Sequence, residues 1–272
     1  MSATDPSSEP PLIPEQRRDR IVRHLRQDSV LSYRQLAALL GVSHMTVRRD
    51  IAELEEQGRV IATQGGAKSV ARVATEPPRT EKSTTEVREK DAVAARAAGM
   101  VRESMTVYLD AGTTVQAMRP HLDHLHDLTI VTNDLVIAAS YLDHPTIEVI
   151  VVGGRLDKQN QSTVGRLPSI VLAELSIDIA FLSTSSWDLR RGVTIPSESK
   201  VEPKQAAARA ASTTVLVATS SKYGTFGRYR VMGLDALTTV VTDAGLPRAE
   251  ADAVERDGGT TVLRVPLGPA GP

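Results

Sequence analysis

The 272-residue chain contains no cysteine, so disulfides, iron–sulfur clusters and cysteine-ligated zinc sites are excluded. Aromatic residues make up only 3% of the sequence, so the core must be built mainly from Val, Ile, Leu and Ala. Acidic and basic residues nearly balance at a net charge of -1, which gives no overall attraction to nucleic acid or to membranes. Any basic surface must therefore be local.

No apolar run approaches the ~18 residues that a membrane-spanning helix needs. The opening stretch MSATDPSSEPPLIPEQRR also lacks the apolar core of a signal peptide. We therefore expect a cytoplasmic protein with no membrane partner. A chain of this length can hold one large domain or two smaller ones, each with its own core.

Composition divides the chain into five segments. Residues 1–14 are rich in Ser, Pro and acid, which predicts a disordered tail. Residues 15–66 have a charged, helical pattern, and the Pro-, Ser- and Thr-containing residues 67–84 are typical of a linker. Residues 85–265 place short β-branched runs between Ala-rich segments, and residues 266–272 form a second tail.

Seven short apolar runs recur in the long C-terminal segment: TVYL, LTIVT, IEVIVV, IDIAFL, TTVLVA, LTTVVT and TTVLRV. Nearly continuous apolar runs suit strands that are buried on both faces of a parallel sheet. The segments between them, such as DAVAARAAGMV and VEPKQAAARAAS, are long enough to cross over as helices. The pattern predicts an α/β doubly wound, mostly parallel sheet.

Two helices joined by a tight turn precede this sheet. Ser32 is a good N-cap for SYRQLAALLG, whose final glycine ends the helix. Ser43 can cap the next helix, HMTVRRDIAELEEQG, where Val47, Ile51 and Leu54 stand at i, i+4 and i+7 and face inward. That spacing turns polar and basic side chains outward at the front of the second helix.

This arrangement predicts a helix-turn-helix that binds double-stranded operator DNA. Residues 15–49 carry five more arginines than acids, which gives the segment a local positive charge. An ordinary three-helix bundle with solvated arginines is the alternative, but the caps, the turn and the paired arginines together favour DNA binding. The predicted contacts are Ser32, Tyr33, Arg34, Ser43, His44, Thr46, Arg48 and Arg49. Whether the paired arginines reach guanine edges or only phosphates stays open.

The stretch LAALLGVSHMTVRRDIAELEEQGRVIATQGGA resembles the signature of the DeoR family of regulators. The resemblance implies an α+β N-terminal winged helix-turn-helix followed by a sugar-phosphate sensor domain similar to ribose phosphate isomerase. The stretch RVIATQGG is expected to form the wing. The family usually has arginine and histidine where this chain has Ala62 and Gln64, so wing contacts to DNA are expected to be weaker or shifted.

The resemblance continues through LDAGTT, LTIVTND, VVGGRL, DIAFL, SSKYG and VVTD, which occur in the family's order. It implies a phosphorylated sugar effector, and open parallel sheets bind ligands at the carboxyl ends of their strands. The predicted effector-binding residues are Asp110, Gly112, Thr113, Thr114, Thr132, Asn133, Gly153, Gly154 and Lys222. The lysine can neutralise a phosphate or pair with an acid. The alternative is that each loop is only a strand-to-helix turn.

Isomerases of the related fold carry a catalytic lysine and base beside a glycine-rich KGGGGA…EK segment. The matching region here, SWDLRRGVTIPSESKVEPKQAA, has no glycine run. Asp178, Asp188, Glu202 and Lys204 are present, but the Pro/Ser insertion separates them. We therefore predict a binding pocket with no catalytic residue and no cofactor. An isomerase-like enzyme with a DNA-binding appendage is the alternative.

The pocket also departs from the family it resembles. Ser183 and Ser186 stand where glycines are usual, and Thr219 stands where an aspartate is usual. A regulator whose pocket no longer binds a ligand, and which responds to a protein partner, is therefore a third hypothesis. Trp187 either lies over the pocket or anchors the surface.

The remaining polar residues favour simpler interpretations. Arg155, Lys158 and Arg166 can contact a phosphate, but a solvated role is favoured, and Arg190 and Arg191 are expected on an exposed loop. The histidines of HLDHLH are not expected to bind a metal, since the chain has neither Cys nor an HExxH motif. Two-fold operators require at least a dimer, so a homo-oligomer joined through the sensor domain is expected.

Overall fold

Residues 12–28, 30–70 and 72–268 are described in the computed structural model of the chain. They fall into two units, residues 1–71 and 72–272. Most of the predicted N-terminal tail, residues 1–11, lies outside the described residues, as do the last four residues of the C-terminal tail.

Three helices and one antiparallel sheet make up the described part of the first unit. The helices are α1 Pro14–Asp28, α2 Tyr33–Leu40 and α3 His44–Glu56. The strands are β1 Val30–Ser32, β2 Val60–Thr63 and β3 Gly66–Ser69. The sheet order is β1-β3-β2, and the β2–β3 hairpin is the wing that RVIATQGG predicts.

Capping fixes where the two central helices begin and end. The Ser32 hydroxyl accepts from the Gln35 backbone N–H at 3.2 Å, while the Gln35 side chain accepts from the Ser32 N–H at 2.9 Å. This reciprocal pair is a capping box. Ser43 accepts from the Thr46 N–H at 3.1 Å, and Gly41 ends α2 with a left-handed φ of 63°. Both predicted caps are therefore present.

The inward face of α3 is the one predicted from its spacing. Val47, Ile51 and Leu54 are buried in an apolar cluster with residues of the other two helices, such as Ile21 and Leu36. The helix therefore turns its opposite side to the exterior of the unit.

All seven apolar runs form strands of a single sheet in the second unit. These strands are β4 Thr106–Leu109, β5 Thr129–Thr132, β6 Glu148–Val151, β9 Ile177–Leu182, β12 Ala211–Val217, β14 Thr239–Asp243 and β15 Thr261–Val265. Their order is β15-β14-β12-β9-β4-β5-β6, and every pairing is parallel. The prediction of a parallel α/β sheet is confirmed.

Helices pack on both faces of this sheet. They are α4 Arg79–Thr84, α5 Val87–Ala98, α6 Thr113–Gln116, α7 Arg119–Leu122, α8 Leu135–Ser140, α9 Arg166–Ala173, α10 Val201–Ala210 and α11 Arg248–Gly258. Successive residues of β4 enter different cores: Tyr108 joins one apolar cluster, while Val107 and Leu109 join another. Because side chains alternate along a strand, the two clusters lie on opposite faces, and the sheet is doubly wound.

Two small antiparallel elements were not predicted. One is the hairpin of β7 Arg155–Asp157 and β8 Ser162–Val164. The other is a three-stranded sheet of β10 Ser186–Asp188, β11 Gly192–Ile195 and β13 Tyr229–Met232.

The position of Trp187 differs from both of the predicted alternatives. Its side chain is fully buried in strand β10, and its ring packs edge-on against Tyr223 with the ring centroids 4.7 Å apart. It neither lies over a pocket nor anchors the surface, because pairing of β10 with β11 carries it into the core. Of the two arginines that follow it, Arg190 is exposed and Arg191 is partly buried, with its guanidinium over the Phe226 ring.

Within the ranges that the structure describes, no helix has the length and apolar character needed to cross a membrane. In the same ranges, no group of His, Asp and Glu side chains is arranged to hold a metal ion. His121 instead lies 2.9 Å from an oxygen of Asp91.

Candidate functional sites

The exposed front of α3 presents the predicted DNA-contacting side chains together. Ser43, His44, Arg48 and Arg49 are exposed, and Thr46 is partly buried beside its cap. Their arrangement follows from the apolar face described above, which occupies the other side of the helix. An exposed helix front with two arginines and a histidine can donate to phosphates and to base edges.

The three predicted contacts at the start of α2 have different environments. Arg34 is exposed, whereas the Ser32 hydroxyl is engaged in the capping box. Tyr33 is buried under α3, with its ring edge-on to His44 at 5.4 Å and the Arg48 guanidinium 5.7 Å from the ring centroid. Tyr33 therefore supports the front of α3 by packing and by a cation–π contact.

A buried ion pair, which the sequence did not reveal, fixes α3 against α1. The Arg17 guanidinium donates to both carboxylate oxygens of Asp50, at 2.5 and 3.0 Å. The two side chains are only 8% and 3% exposed. Arg17 is thus a structural residue and does not belong to the exposed basic surface.

The second unit contains a cavity of about 330 Å³ at the carboxyl ends of the central strands. The Gly112–Thr114 loop after β4, the Ser183–Ser185 loop after β9 and Lys222 after β12 form part of its lining. Open parallel sheets bind ligands where such loops meet, so this cavity is the candidate effector site.

The predicted effector residues are only partly brought together. Gly112, Thr113, Thr114 and Lys222 line the cavity, and the other predicted residues do not.

Two of the remaining predicted residues form a buried scaffold under the loops. Thr132 donates to the Leu109 carbonyl at 2.6 Å. Asn133 accepts from the Ala111 N–H at 3.1 Å and donates to the Thr163 carbonyl at 2.9 Å. Both side chains are buried and hydrogen-bonded within the protein, so they shape the loop after β4 and do not line the cavity.

Gly153 and Gly154 do not line the cavity, so the structure does not support them as ligand contacts. A Cβ on Gly154 would lie 2.7 Å from the Pro168 ring. This glycine therefore permits close packing of α9 on the turn after β6.

Asp110 is the centre of a buried network below the cavity. Its carboxylate accepts from the Ser183 N–H at 2.8 Å and forms an ion pair with Lys204. Lys204 also donates to the Ser183 carbonyl at 2.8 Å. A Cβ on Gly112 would lie 2.8 Å from the Ser183 Cβ, so the loop needs glycine to pass this closely.

The departures from the family pattern all have internal partners. The Ser183 hydroxyl lies 2.6 Å from the Ala111 carbonyl, and Ser186 donates to the Thr194 carbonyl at 2.8 Å. Thr219 donates to the Glu86 carboxylate at 2.9 Å. Of these three residues, only Ser183 lines the cavity.

Three lysines line the same cavity: Lys82, Lys90 and Lys222. Burial, followed by the charge of Lys82, lowers the pKa of Lys222 to about 8. Burial also lowers the pKa of Lys82 and of Lys90, and each is lowered further by other nearby cations. Cations that are desolvated together are stabilised by a bound anion. Lys82 and Lys90 were not predicted as site residues. Lys82 lies in the predicted linker and Lys90 in a crossover helix, and charged residues in such segments usually belong to a solvated face.

Lys222 is the least satisfied of the three. Across the described ranges its ammonium has no hydrogen bond or ion pair, whereas Lys82 pairs with Glu76 at 2.6 Å and Lys90 donates to the Thr85 carbonyl at 2.6 Å. Thr113 and Thr114 line the same cavity. The cavity is thus suited to an anion that also carries hydroxyl groups.

Comparison with known proteins identifies both units. Residues 17–73 match the DeoR-like helix-turn-helix domain, and residues 85–244 match the DeoR C terminal sensor domain. The chain belongs to the DeoR family. This DeoR-family protein is therefore a helix-turn-helix transcriptional regulator with a sensor domain.

Full-length relatives agree with this assignment. The regulator YgbI of Escherichia coli is 40% identical over 89% of this chain and 95% of its own length. The transcriptional repressor GlcR of Bacillus subtilis is 30% identical over 90% of this chain and 94% of its own. Ribose 5-phosphate isomerase from Plasmodium falciparum aligns with a TM-score of 0.37 and 17% identity, covering 50% of this chain and 52% of the isomerase. That structural likeness is too weak to carry an argument.

Proposed function

We propose that this DeoR-family regulator represses a carbohydrate-metabolism operon and is released from its operator by a phosphorylated sugar. The observation that carries the proposal is the cavity in which three lysines lie beside the Gly112–Thr114 loop. The lysines suit a phosphate, and the hydroxyl-rich loops suit a sugar. The repressor GlcR among the relatives supports repression.

A sensing role is favoured over catalysis because the buried acid and lysine below the cavity are committed to each other. Asp110 and Lys204 form an ion pair, and both also bond to Ser183. Glu76 and Glu86, the acids that line the cavity, accept hydrogen bonds from Lys82 and Thr219. An isomerase mechanism would need an acid and a lysine poised at the substrate, whereas Asp110 and Lys204 are engaged with each other below the cavity.

The direct test is binding of the purified chain to the DNA upstream of its own gene, at fixed salt, with a panel of phosphorylated sugars. Specific binding that one compound releases is the expected result. Specific binding that no compound changes would contradict the sensor role. Consumption of a sugar phosphate without specific DNA binding would favour an isomerase-like enzyme.

Removing either exposed arginine of α3 should weaken operator binding. If the side chain contacts a base, Arg48→Ala or Arg49→Ala is expected to cost about 1–3 kcal/mol of binding free energy and to relax specificity at that base pair. If the side chain contacts a phosphate, its removal should instead weaken binding to all DNA sequences about equally and reduce the salt dependence of binding. Binding titrations at several salt concentrations separate the two cases.

Arg23→Ala is the matched control for this prediction. Arg23 is exposed on α1, so its replacement removes the same charge away from the front of α3. The proposal predicts a smaller loss of affinity and no change in specificity for this variant. Equal losses for all three variants would mean that only overall charge matters.

Effector binding should weaken as the pH rises through about 8, the pKa of Lys222. Binding of a phosphate needs the protonated ammonium, and a phosphate monoester is already dianionic there because its second pKa is about 6. An ordinary lysine would keep its proton to about pH 10.4. We expect a loss of up to about tenfold per pH unit above this pKa, measured by titration calorimetry with the releasing sugar phosphate.

Lys222→Arg gives the control for this pH dependence, since a guanidinium keeps its charge throughout the range. The variant should bind with a flatter profile between pH 8 and 10. A decline as steep as that of the unaltered protein would assign the titration to another group.

The regulator is also proposed to act as a homo-oligomer, a dimer or larger. The support is the helix-turn-helix itself, because such readers bind paired half-sites one helical turn apart. Light scattering in solution tests this, and a monomer that binds its operator specifically would contradict it.

A further inference from the structure

The first segment of the second unit forms one wall of the effector cavity. This segment, Arg72–Pro78, is called the strap below. Val73, Thr75, Glu76 and Pro77 of the strap line the cavity, and the first unit ends at the residue just before it. The chain that leaves the DNA-binding unit therefore passes directly along the site proposed for the effector.

Few contacts hold the strap to the rest of the second unit. The Val73 N–H donates to the Phe226 carbonyl at 2.8 Å, and Gln159 donates to the Glu76 carbonyl at 3.1 Å. The strongest attachment is the side chain of Glu76. One carboxylate oxygen accepts from Lys82 at 2.6 Å, and the other accepts from Lys200.

Glu76 remains an anion under ordinary conditions. Burial would raise the pKa of its carboxyl, but Lys200 and Lys82 outweigh burial and lower the pKa to about 2. The three side chains are between 14% and 21% exposed, so their attraction is only partly screened by water. The ion pairs therefore hold the strap against the cavity at neutral pH.

Lys82 has two roles that compete. Its ammonium already donates to Glu76 and to Asn160, and it also lines the cavity together with Lys222, whose ammonium has no partner among the described residues. An anion bound at Lys222 would attract Lys82 and repel the carboxylate of Glu76. In a small cavity, both effects act against the attachment of the strap.

We propose that Glu76 is a built-in competitor of the effector's phosphate for Lys82, and that effector binding loosens the strap. The inference rests on the proposed function, because it needs an anionic effector. An effector changes a conformational equilibrium only by binding one state more tightly than the other. Here the two states are the strap attached through Glu76 and the strap released, and Lys82 is more available to the phosphate in the released state. Lys82 thereby becomes an effector-binding residue, and the strap becomes the connection to the DNA-binding unit.

The test uses the full chain, inorganic phosphate as the probe, and the variant Glu76→Gln. Titration calorimetry measures phosphate affinity, and hydrogen exchange of a peptide that contains the Val73 amide, which is bonded to the Phe226 carbonyl, measures attachment of the strap. Phosphate should speed exchange of this peptide in the unaltered protein. In E76Q, exchange should be fast without phosphate, and phosphate should bind roughly three- to tenfold more tightly, the effect of removing one nearby charge.

Glu86→Gln is the matched control. Glu86 lines the same cavity and accepts from Thr219, but it lies outside the strap. This variant removes the same charge, so its phosphate affinity should also rise, while exchange of the strap stays as in the unaltered protein. Affinity for the upstream DNA in the absence of phosphate should fall in E76Q, and by more than in E86Q.

The outcomes separate this inference from the proposed function. Phosphate binding without faster exchange of the strap, or equal exchange in E76Q and E86Q, would overturn the competition and leave an anion-binding sensor. A strap that loosens without any change in DNA affinity would overturn its role as the connection. Failure of phosphate to bind the unaltered protein would reject the anionic effector itself, and the competition with it.

Discussion

Asp50→Ala should unfold the DNA-binding unit while leaving the second unit folded. The substitution leaves the Arg17 guanidinium buried without its carboxylate, and breaking a buried ion pair in this way costs about 3–5 kcal/mol. A unit of about 60 residues has a total stability of only a few kcal/mol. The loss should therefore be enough to abolish operator binding.

Two optical signals separate the units in this experiment. Trp187 is the single tryptophan of the chain and lies in the second unit, so its fluorescence reports on that unit alone. Circular dichroism reports on the helices of both. Asp50→Ala should lack part of the helical signal before any urea is added, while its fluorescence transition in urea stays that of the unaltered protein.

Asp19→Ala is the control, because Asp19 also pairs with an arginine, Arg59, but is 53% exposed. Exposed pairs contribute at most about 1 kcal/mol, so this variant should keep both its helical signal and its operator binding. Equal effects of the two aspartates would contradict the structural role of the buried pair.

The helix caps, the inward face of α3 and the strands could be predicted from the sequence, because each depends on residues close together in the chain. The caps at Ser32 and Ser43 depend on residues three positions apart, and the inward face of α3 depends on a repeat along one helix. The seven strands could be predicted because each is a short apolar run that must be buried on both faces. Such signals are complete within a few residues.

Features set by long-range pairing were not predictable. Glu76 and Lys82 lie in the stretch that reads as a linker, and their importance comes from Lys200, more than a hundred residues away. Gly153 fits the pattern of a ligand loop, yet the turn after β6 lies away from the cavity. A pattern of glycines shows where the backbone turns, but it does not show which turns meet.

Arg79 is the other long-range residue hidden in the predicted linker, and Arg79→Met should lower the unfolding free energy of the second unit by about 3 kcal/mol. Its guanidinium donates to Asp134 at 2.6 Å and to Gln116 at 2.8 Å, and it is almost fully buried. The estimate lies at the low end for a buried pair because Asp134 also accepts from three backbone N–H groups, including that of Gly112 at 3.2 Å.

Urea unfolding followed by Trp187 fluorescence measures this loss, with Arg88→Met as the control. Arg88 is exposed and donates only to a carbonyl near the C-terminus, so its removal should cost less than about 1 kcal/mol. The combination of Arg79→Met with Asp134→Asn should be more stable than Arg79→Met alone. It removes the unpaired buried charge, and the asparagine oxygen can still cap α8. The recovery should be partial, because the asparagine NH2 group would then face the Gly112 N–H, which loses its acceptor. A double variant no more stable than the single one would show that the arginine acts through packing, with little contribution from its charge.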